Sequence, residues 1–242
     1  MIVWLALSPM VAGFSLAHGA TQGLQANPST SSADSGELNK IIAELNAASA
    51  KFKSAQADLS SDDFQAVVQV DEIQTGTIYF ERRKGETVVA MQIKQVDGKD
   101  APKFVVYDGG QLQFYQPEIK QMTILRAGAN RGQAESFLTL GFGGSGDDLQ
   151  ANWDVTLVGK ETLDGVEVAK LDLKPKAQNV QSMFTHVTVW VDPTRGVSLK
   201  QIFYEPSGDR RTATYTNIKY NQSIPEDVFH IKTAPGTTIQ TK

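Results

Sequence analysis

Short runs of alternating apolar and polar residues, repeated along most of the chain, constrain this sequence more than any other feature. Phe64, Ala66, Val68 and Val70 alternate with Gln65, Val67, Gln69 and Asp71. Ile78 and Phe80 alternate with Thr77, Tyr79 and Glu81, and Val89, Met91 and Ile93 with Ala90, Gln92 and Lys94. A period of two puts one residue set on one face of an extended chain, so these runs predict half-buried strands. Residues 103–107, 111–116, 121–125, 153–159, 166–174, 185–191, 197–204 and 211–220 continue the pattern. Turn signals separate them at Asp97-Gly98, Asp108-Gly109-Gly110, Asp164-Gly165 and Ser207-Gly208. With about eleven strands at hairpin spacing, the expected fold is mainly β with a few helices, built on an antiparallel sheet.

The period changes to three and four only near the start. Asp34 and Glu37 form a variant of the capping box. Leu38, Ile41, Ile42, Leu45, Ala48 and Phe52 then share one face, which predicts an amphipathic helix of about five or six turns. Residues 130–140 can form a second, short helix presenting Phe137, Leu138 and Leu140, ended by the glycine-rich segment Gly141-Phe142-Gly143-Gly144-Ser145-Gly146. A large twisted sheet tends to curl, and two helices cover only part of its inner face. The expectation is an incomplete antiparallel barrel with a helical lid over a hydrophobic cavity, a shape suited to alkyl chains.

The first 19 residues are apolar and end in Ala17-His18-Gly19, with small residues where a signal peptidase needs them. We read residues 1–19 as a cleaved export signal and 20–35, rich in Gln, Asn, Ser, Thr and Gly, as a flexible linker. The alternative for the leader is a retained membrane anchor, although Ser8-Pro9 and Gly13 interrupt its apolar run. Residues 36–242 are then one folded domain, expected to be a monomer in the periplasm. The chain has no cysteine, hence no disulfide framework and no thiol nucleophile. A formal net charge of −4 gives no bulk attraction to nucleic acid, which is not expected as a partner.

Catalytic parts are scarce. The histidines are His18, His186 and His230, without the spacing of a zinc site or a triad. The segment from Gly141 to Gly146 fits a phosphate-loop pattern only formally, since it follows a helical stretch and leads into Asp147-Asp148. It reads as a flexible loop, and Asp147-Asp148 as solvated turn charges. No enzyme activity, metal or cofactor is expected.

Several segments, in order, resemble the LolA family of outer-membrane lipoprotein carriers. The first strand of that family is matched by Asp63-Phe64-Gln65-Ala66-Val67-Val68, and a second by Gly76-Thr77-Ile78-Tyr79-Phe80-Glu81-Arg82-Arg83. Val106-Tyr107-Asp108-Gly109 with Leu112-Gln113-Phe114-Tyr115-Gln116-Pro117 resembles its central hairpin, and Leu171-Asp172-Leu173-Lys174-Pro175-Lys176 a later strand. Phe203-Tyr204-Glu205, Thr214 to Asn221, and the tail from Ile224 to Phe229 followed by Ala234-Pro235-Gly236-Thr237 resemble the closing elements. Arg83 stands where the family has proline, and Glu86-Thr87-Val88 replaces an aromatic stretch.

The resemblance implies a LolA/LolB-like half-barrel that shields the acyl chains of lipoproteins. It also implies two partners, an inner-membrane lipoprotein-releasing transporter and an outer-membrane acceptor. Arg82 is in phase with Ile78 and Phe80, so its side chain is expected on the concave face, where an unpaired guanidinium is costly. By resemblance it is the latch that holds the lid through backbone carbonyls; otherwise it snorkels to solvent or pairs with Glu81 or Glu86. The cavity is expected to be lined by Phe64, Ala66, Val68, Ile78, Phe80, Val89, Met91, Ile93, Phe104, Val106, Leu112 and Phe114, with Phe137 and Leu138 from the lid. The same residues could instead form a filled core. A periplasmic lipid-binding or lipoprotein-sensing module of the same fold is the alternative function.

Overall fold

A computed structural model of the chain describes residues 32–128, 137 and 139–242, with the side chains of residues 32–34 excepted. The leader, most of the linker, Leu138 and nearly all of the expected helix over 130–140 lie outside the described residues. One twelve-stranded sheet organises the rest. In chain order its strands are β1 (Ser54–Gln65), β2 (Val70–Arg83), β3 (Glu86–Val96), β4 (Lys99–Asp108), β5 (Gln111–Gln116) and β6 (Gln121–Arg126). They are followed by β7 (Trp153–Leu163), β8 (Val166–Pro175), β9 (His186–Asp192), β10 (Val197–Tyr204), β11 (Arg210–Tyr220) and β12 (Thr238–Thr241). Spatially the order is β12-β6-β5-β4-β3-β2-β1-β11-β10-β9-β8-β7, so β1 joins two meanders and β7 and β12 are the edges among the described residues. All pairs are antiparallel except β12 on β6. No described helix is long and apolar enough to cross a membrane.

Helix α1 (Ser32–Lys51) begins before the expected boundary, so residues 32–35 belong to it and Asp34 lies in its first turn instead of capping it. Its apolar face, Ile41, Ile42, Leu45 and Ala48, is buried as the spacing requires. Two further short helices are α2 (Gly146–Asn152) and α3 (Gln178–Gln181). Asp147 and Asp148 therefore sit in the first turn of a helix, where carboxylates favour the dipole, and are not turn charges. Ser145 caps α2 by accepting from the Asp148 amide at 3.0 Å. Asn46 on α1 exchanges hydrogen bonds with Asp147 at 2.9 and 3.0 Å, which ties the two helices together.

The concave face carries two apolar clusters. Under β1–β5 and β11 are Ala55, Ala57, Leu59, Ile78, Phe80, Val89, Met91, Ile93, Val105, Tyr107, Leu112, Phe114, Ala213 and Tyr215, covered by Phe52 and Phe142. Under β7–β10, Leu171, Leu173, Val187, Val189, Val191 and Phe203 meet Ile41 and Leu45 of α1, with Phe137 and Trp153. A third cluster lies on the convex face, where Tyr79, Val88, Ala90 and Val106 are covered by Ile224 and Phe229 of the C-terminal tail.

Three expectations are corrected by this register. The first strand is β1, whose sequence of small and polar residues shows little alternation, and Phe64 lies near its end. Ala66 and Val68 are on the β1–β2 turn, Val68 being 56% exposed, and Phe64 is in opposite phase to the inward Leu59, Ser61 and Asp63. Phe104 and Val106 also face away from the hollow. Directly paired residues share a face, and Met91 pairs with Val105 and Val89 with Tyr107. Every residue from Phe104 to Tyr107 is apolar or aromatic, so alternation alone could not choose between the faces.

Candidate functional site

The site is built where the two clusters meet, around three segments: the end of α1, the loop from Thr139 to Gly144, and the end of β2. Leu140 is buried and Phe142, 1% exposed, drives its ring into the concave face. There it stacks on Phe80 at 4.1 Å between centroids and meets Tyr215 edge-on at 4.8 Å. The loop is held to β10 by backbone. The Ser198 amide donates to Gly141 O at 2.6 Å and the Gly143 amide to Gly196 O at 3.0 Å, around a bridge between Phe142 and Val197. The segment expected to be a flexible loop is thus a fixed one that inserts an aromatic plug.

Glycine is required on both sides of the plug. Gly141 and Gly143 have φ of 73° and 75°, a region that side chains rarely adopt. A Cβ at Gly141 would overlap the Ser198 hydroxyl, and one at Gly143 the ring of Phe52.

Arg82 closes the site from the sheet. One of its terminal nitrogens donates to Ser49 O of α1 at 2.6 Å, the other to Gly143 O at 2.5 Å. Gly143 O also accepts from the Ser49 hydroxyl at 2.7 Å. The guanidinium lies 5.6 Å from the centroid of the Phe52 ring, and its Nε has no hydrogen-bond partner among the described residues. The planar fork of arginine reaches two carbonyls that diverge, one on each cover, which a lysine could not do with fixed geometry. Beneath it the Tyr215 hydroxyl donates to Gln201 Oε1 at 3.0 Å, and Gln201 Nε2 donates to Leu140 O at 2.5 Å. Burial pushes the Tyr215 phenol well above its ordinary range, so it remains a donor.

The expected cavity residues therefore separate. Ile78, Phe80, Val89, Met91, Ile93, Leu112 and Phe114 are together on the concave face, with Phe142 filling the space between them and β11. Phe137 belongs to the other cluster, edge-on to Trp153 at 5.3 Å and tilted against Phe184 at 5.5 Å. Phe64, Ala66, Val68, Phe104 and Val106 are elsewhere, for the reasons given above. Next to Arg82, between α1, the loop and β8–β9, a space of about 300 Å³ remains, bounded by Leu45, Arg82, Leu140, Leu171 and Val189 among others. Phe142, Ser49 and Gln201 were missed by sequence reasoning. For Phe142 a signal was present, a lone aromatic flanked by glycines.

Arg83, next to Arg82, has its own role. It pairs with Glu81 at 2.5 Å and Glu226 at 2.6 Å, and its guanidinium lies 4.3 Å from the Phe229 centroid. These contacts fix the C-terminal tail on the convex face. Desolvation alone would lower its pKa, but the hydrogen bonds it donates to Glu81 and Glu226, with the charges of both, outweigh that and raise the pKa further above the ordinary value.

A family model described as an uncharacterized protein matches residues 103–219. Comparison with curated proteins finds no match. Among solved structures, an uncharacterized conserved protein from Thermus thermophilus superposes with a TM-score of 0.53 at 11% identity, over 85% of this chain and 99% of that one. MucB, from Pseudomonas aeruginosa, gives 0.52 at 16% identity over 81% of this chain, which spans 63% of MucB. The LolA superfamily protein NE2245 from Nitrosomonas europaea gives 0.39 at 14% identity, over 79% of this chain and 96% of that one. For the first two, at 11% and 16% identity, the likeness is one of fold alone.

Proposed function

We propose, from the resemblance of its sequence to the LolA family and from its open, partly covered sheet, that it is a periplasmic carrier that shields the acyl chains of lipoproteins in its concave hollow. It would take them from an inner-membrane lipoprotein-releasing transporter and give them to an outer-membrane acceptor. The observation that carries this reading is the position of Arg82, one side chain on the sheet that grips both Ser49 O of α1 and Gly143 O beside the Phe142 plug. Release of that grip loosens both covers at the sheet, with the loop still bonded to β10 and Gln201.

The energetics suit a reversible carrier. Each methylene removed from water contributes about 0.8 kcal/mol, and a bilayer gives nearly the same environment. A hollow that is permanently open would expose the apolar face of β2–β5 to water. A hollow closed by its own phenylalanine avoids that cost, and Phe142 exchanges one apolar filling for another when a chain enters. Loading is then close to balanced and is set by whatever displaces the plug.

Native mass spectrometry of protein purified from a bacterial periplasm, followed by lipid extraction, tests the reading. An acylated peptide bound to the chain is the expected result. Free lipid with no peptide would move the assignment to the lipid-binding or lipoprotein-sensing module of the same fold. No apolar ligand under any loading condition would end both.

A further inference from the structure

The tip of the β1–β2 hairpin is apolar where a turn is ordinarily polar. Turns favour Gly, Asn, Asp and Ser, yet this one reads Ala66-Val67-Val68-Gln69 and runs on into Val70. Val67, Val68, Val70 and Ile73 are 88%, 56%, 53% and 47% exposed. They are four of the seven large hydrophobic residues left exposed among the described residues. Single surface valines need no explanation, whereas a cluster of this kind marks an interaction surface.

The tip is also held in place. The Gln69 amide donates to Gln65 O at 2.9 Å, and its side-chain amide to Ala66 O at 2.5 Å. From the β10–β11 turn the Asp209 carboxylate accepts from the Ala66 amide at 2.7 Å, and from the β3–β4 turn Asp97 accepts from the Ile73 amide at 2.9 Å. Two neighbouring turns thus fix a hairpin end whose valines face water. Val70 and Ile73 are three apart on β2 and so lie on opposite faces of it. A partner must therefore wrap the tip, since no single face carries the apolar surface.

Charge selects that partner. From Ser54 to Glu81 the chain holds six acidic residues and no Lys or Arg. Directly paired residues share a face, so the pairs Asp62–Ile73 and Phe64–Asp71 put two carboxylates beside Phe64 and Ile73 on the convex face. Asp62 Oδ1 is buried with no hydrogen-bond partner among the described residues, and desolvation together with Asp71 raises the pKa of Asp62. On the flanking strand Arg211 is paired with Asp63, and Arg210 lies over the Phe64 ring at 4.1 Å. Arg210 can offset only one of the two carboxylates. Acids repel an anionic bilayer, and they repel the same tip of a second copy, whereas a lysine or arginine is drawn to Asp62 and Asp71.

We propose that the β1–β2 tip docks a cationic, apolar segment of a partner protein, which wraps Val67, Val68, Val70 and Ile73 and sets its lysine or arginine side chains on Asp62 and Asp71. The surface uses neither Arg82 nor the central hollow, so it stands apart from the carrier reading.

The test is titration of the full chain with a soluble peptide of four Lys-Leu repeats, followed in the spectra of the valine and isoleucine methyl groups. A peptide of four Glu-Leu repeats and vesicles of phosphatidylethanolamine with phosphatidylglycerol serve as comparisons. The Lys-Leu peptide should shift the methyls of Val67, Val68, Val70 and Ile73 and leave those of Val189, inside the second concave cluster, unmoved. The Glu-Leu peptide and the vesicles should shift none of them. Val67→Ser with Val68→Ser, both exposed and so without effect on thermal unfolding, should weaken the Lys-Leu peptide about tenfold. Asp62→Asn with Asp71→Asn should weaken it about fivefold and flatten its salt dependence, while Arg82→Leu should leave it unchanged. The proposal is overturned if the Lys-Leu peptide does not bind, if it binds both tip variants as tightly as the native chain, or if the Glu-Leu peptide binds equally well. Vesicle binding that is lost with the valines would overturn it in favour of a lipid surface. Movement of the Val189 methyls in place of the tip methyls would put the peptide in the central hollow, which overturns the docking surface and leaves the carrier reading standing.

Discussion

Removal of the plug should make this protein less stable and a better binder at the same time. Phe142 is 1% exposed and touches two aromatic rings, one stacked and one edge-on. Phe→Ala in a core costs about 3–5 kcal/mol, the sum of lost transfer energy and the cavity left behind. Two aromatic contacts place Phe142→Ala toward the upper part of that range, near about 4 kcal/mol, because each adds roughly 0.5–1.5 kcal/mol beyond area. The rings that would wall the vacancy, Phe80 and Tyr215, belong to strands whose pairing prevents collapse. The cavity should therefore persist and accept an alkyl chain. Urea denaturation with and without a saturating fatty-acid or acyl-peptide ligand measures both effects. A ligand at about 100 times its Kd restores about 2.7 kcal/mol, so most of the loss should be recovered in the variant, and much less should be gained by the native chain. If Phe142→Ala is destabilised by the expected amount yet gains no more from ligand than the native protein, Phe142 is ordinary core packing and the hollow is not a binding site.

Further outcomes follow from the same geometry. Arg82→Leu removes two charge-assisted hydrogen bonds from partly buried carbonyls and should cost about 1–3 kcal/mol. Amide exchange should accelerate at residues 48–51 and 141–146 while β8–β9 is unaffected, and cargo transfer should stall; full transfer by this variant would refute the latch. Gly143→Ala forces a side chain into positive φ and into the Phe52 ring, so a loss of about 1–3 kcal/mol is expected in thermal unfolding. Asp62 has its pKa raised by desolvation and by Asp71. A raised carboxyl favours the fold below its unfolded pKa and loses that contribution as pH rises through the folded value. Asp62→Asn should accordingly stabilise the protein by a few tenths of a kcal/mol at pH 7 and have no effect at pH 3, read from denaturation midpoints.

The architecture was legible because most strands need alternation to bury one face: β5 and β10 begin and end where the pattern does. Where alternation was weak, the reading failed for physical reasons. Strand β1 presents Ala55 and Ala57 to the hollow, small residues that leave little apolar signal. Its later half faces inward with Ser61 and Asp63, the latter neutralised by Arg211 on the neighbouring strand. No local rule finds such a strand, since its justification lies in a partner 148 residues away. The valines of the β1–β2 turn extended the apparent strand past its end. At the site, Arg82 could be placed on the concave face by phase alone, but its acceptors are carbonyls of Ser49 and Gly143, and backbone groups carry no sequence signature. Ser145 and Asp148, three apart, did carry one for α2, and the glycines around it concealed the helix start.

The chain of hydrogen bonds below the plug makes a distinct, pH-dependent demand. Tyr215 donates to Gln201, which donates to Leu140 O, so the sheet holds the loop from beneath as Arg82 holds it from the rim. Both side chains are buried, and removal of the phenol leaves Gln201 Oε1 without its donor at a cost of about 1–3 kcal/mol. Burial raises the Tyr215 pKa in the fold above the value of about 10 it has when unfolded. The folded state then binds the extra proton, and its stability must fall as pH rises above the unfolded value. Denaturation midpoints of the native chain should decline above about pH 10. Tyr215→Phe should begin lower at pH 8 and decline less, because other tyrosines still titrate but this buried one no longer does. An unchanged alkaline slope in the variant would mean that the phenol ionises as readily in the fold as in water, and that the loop is held by Arg82 and its own backbone alone.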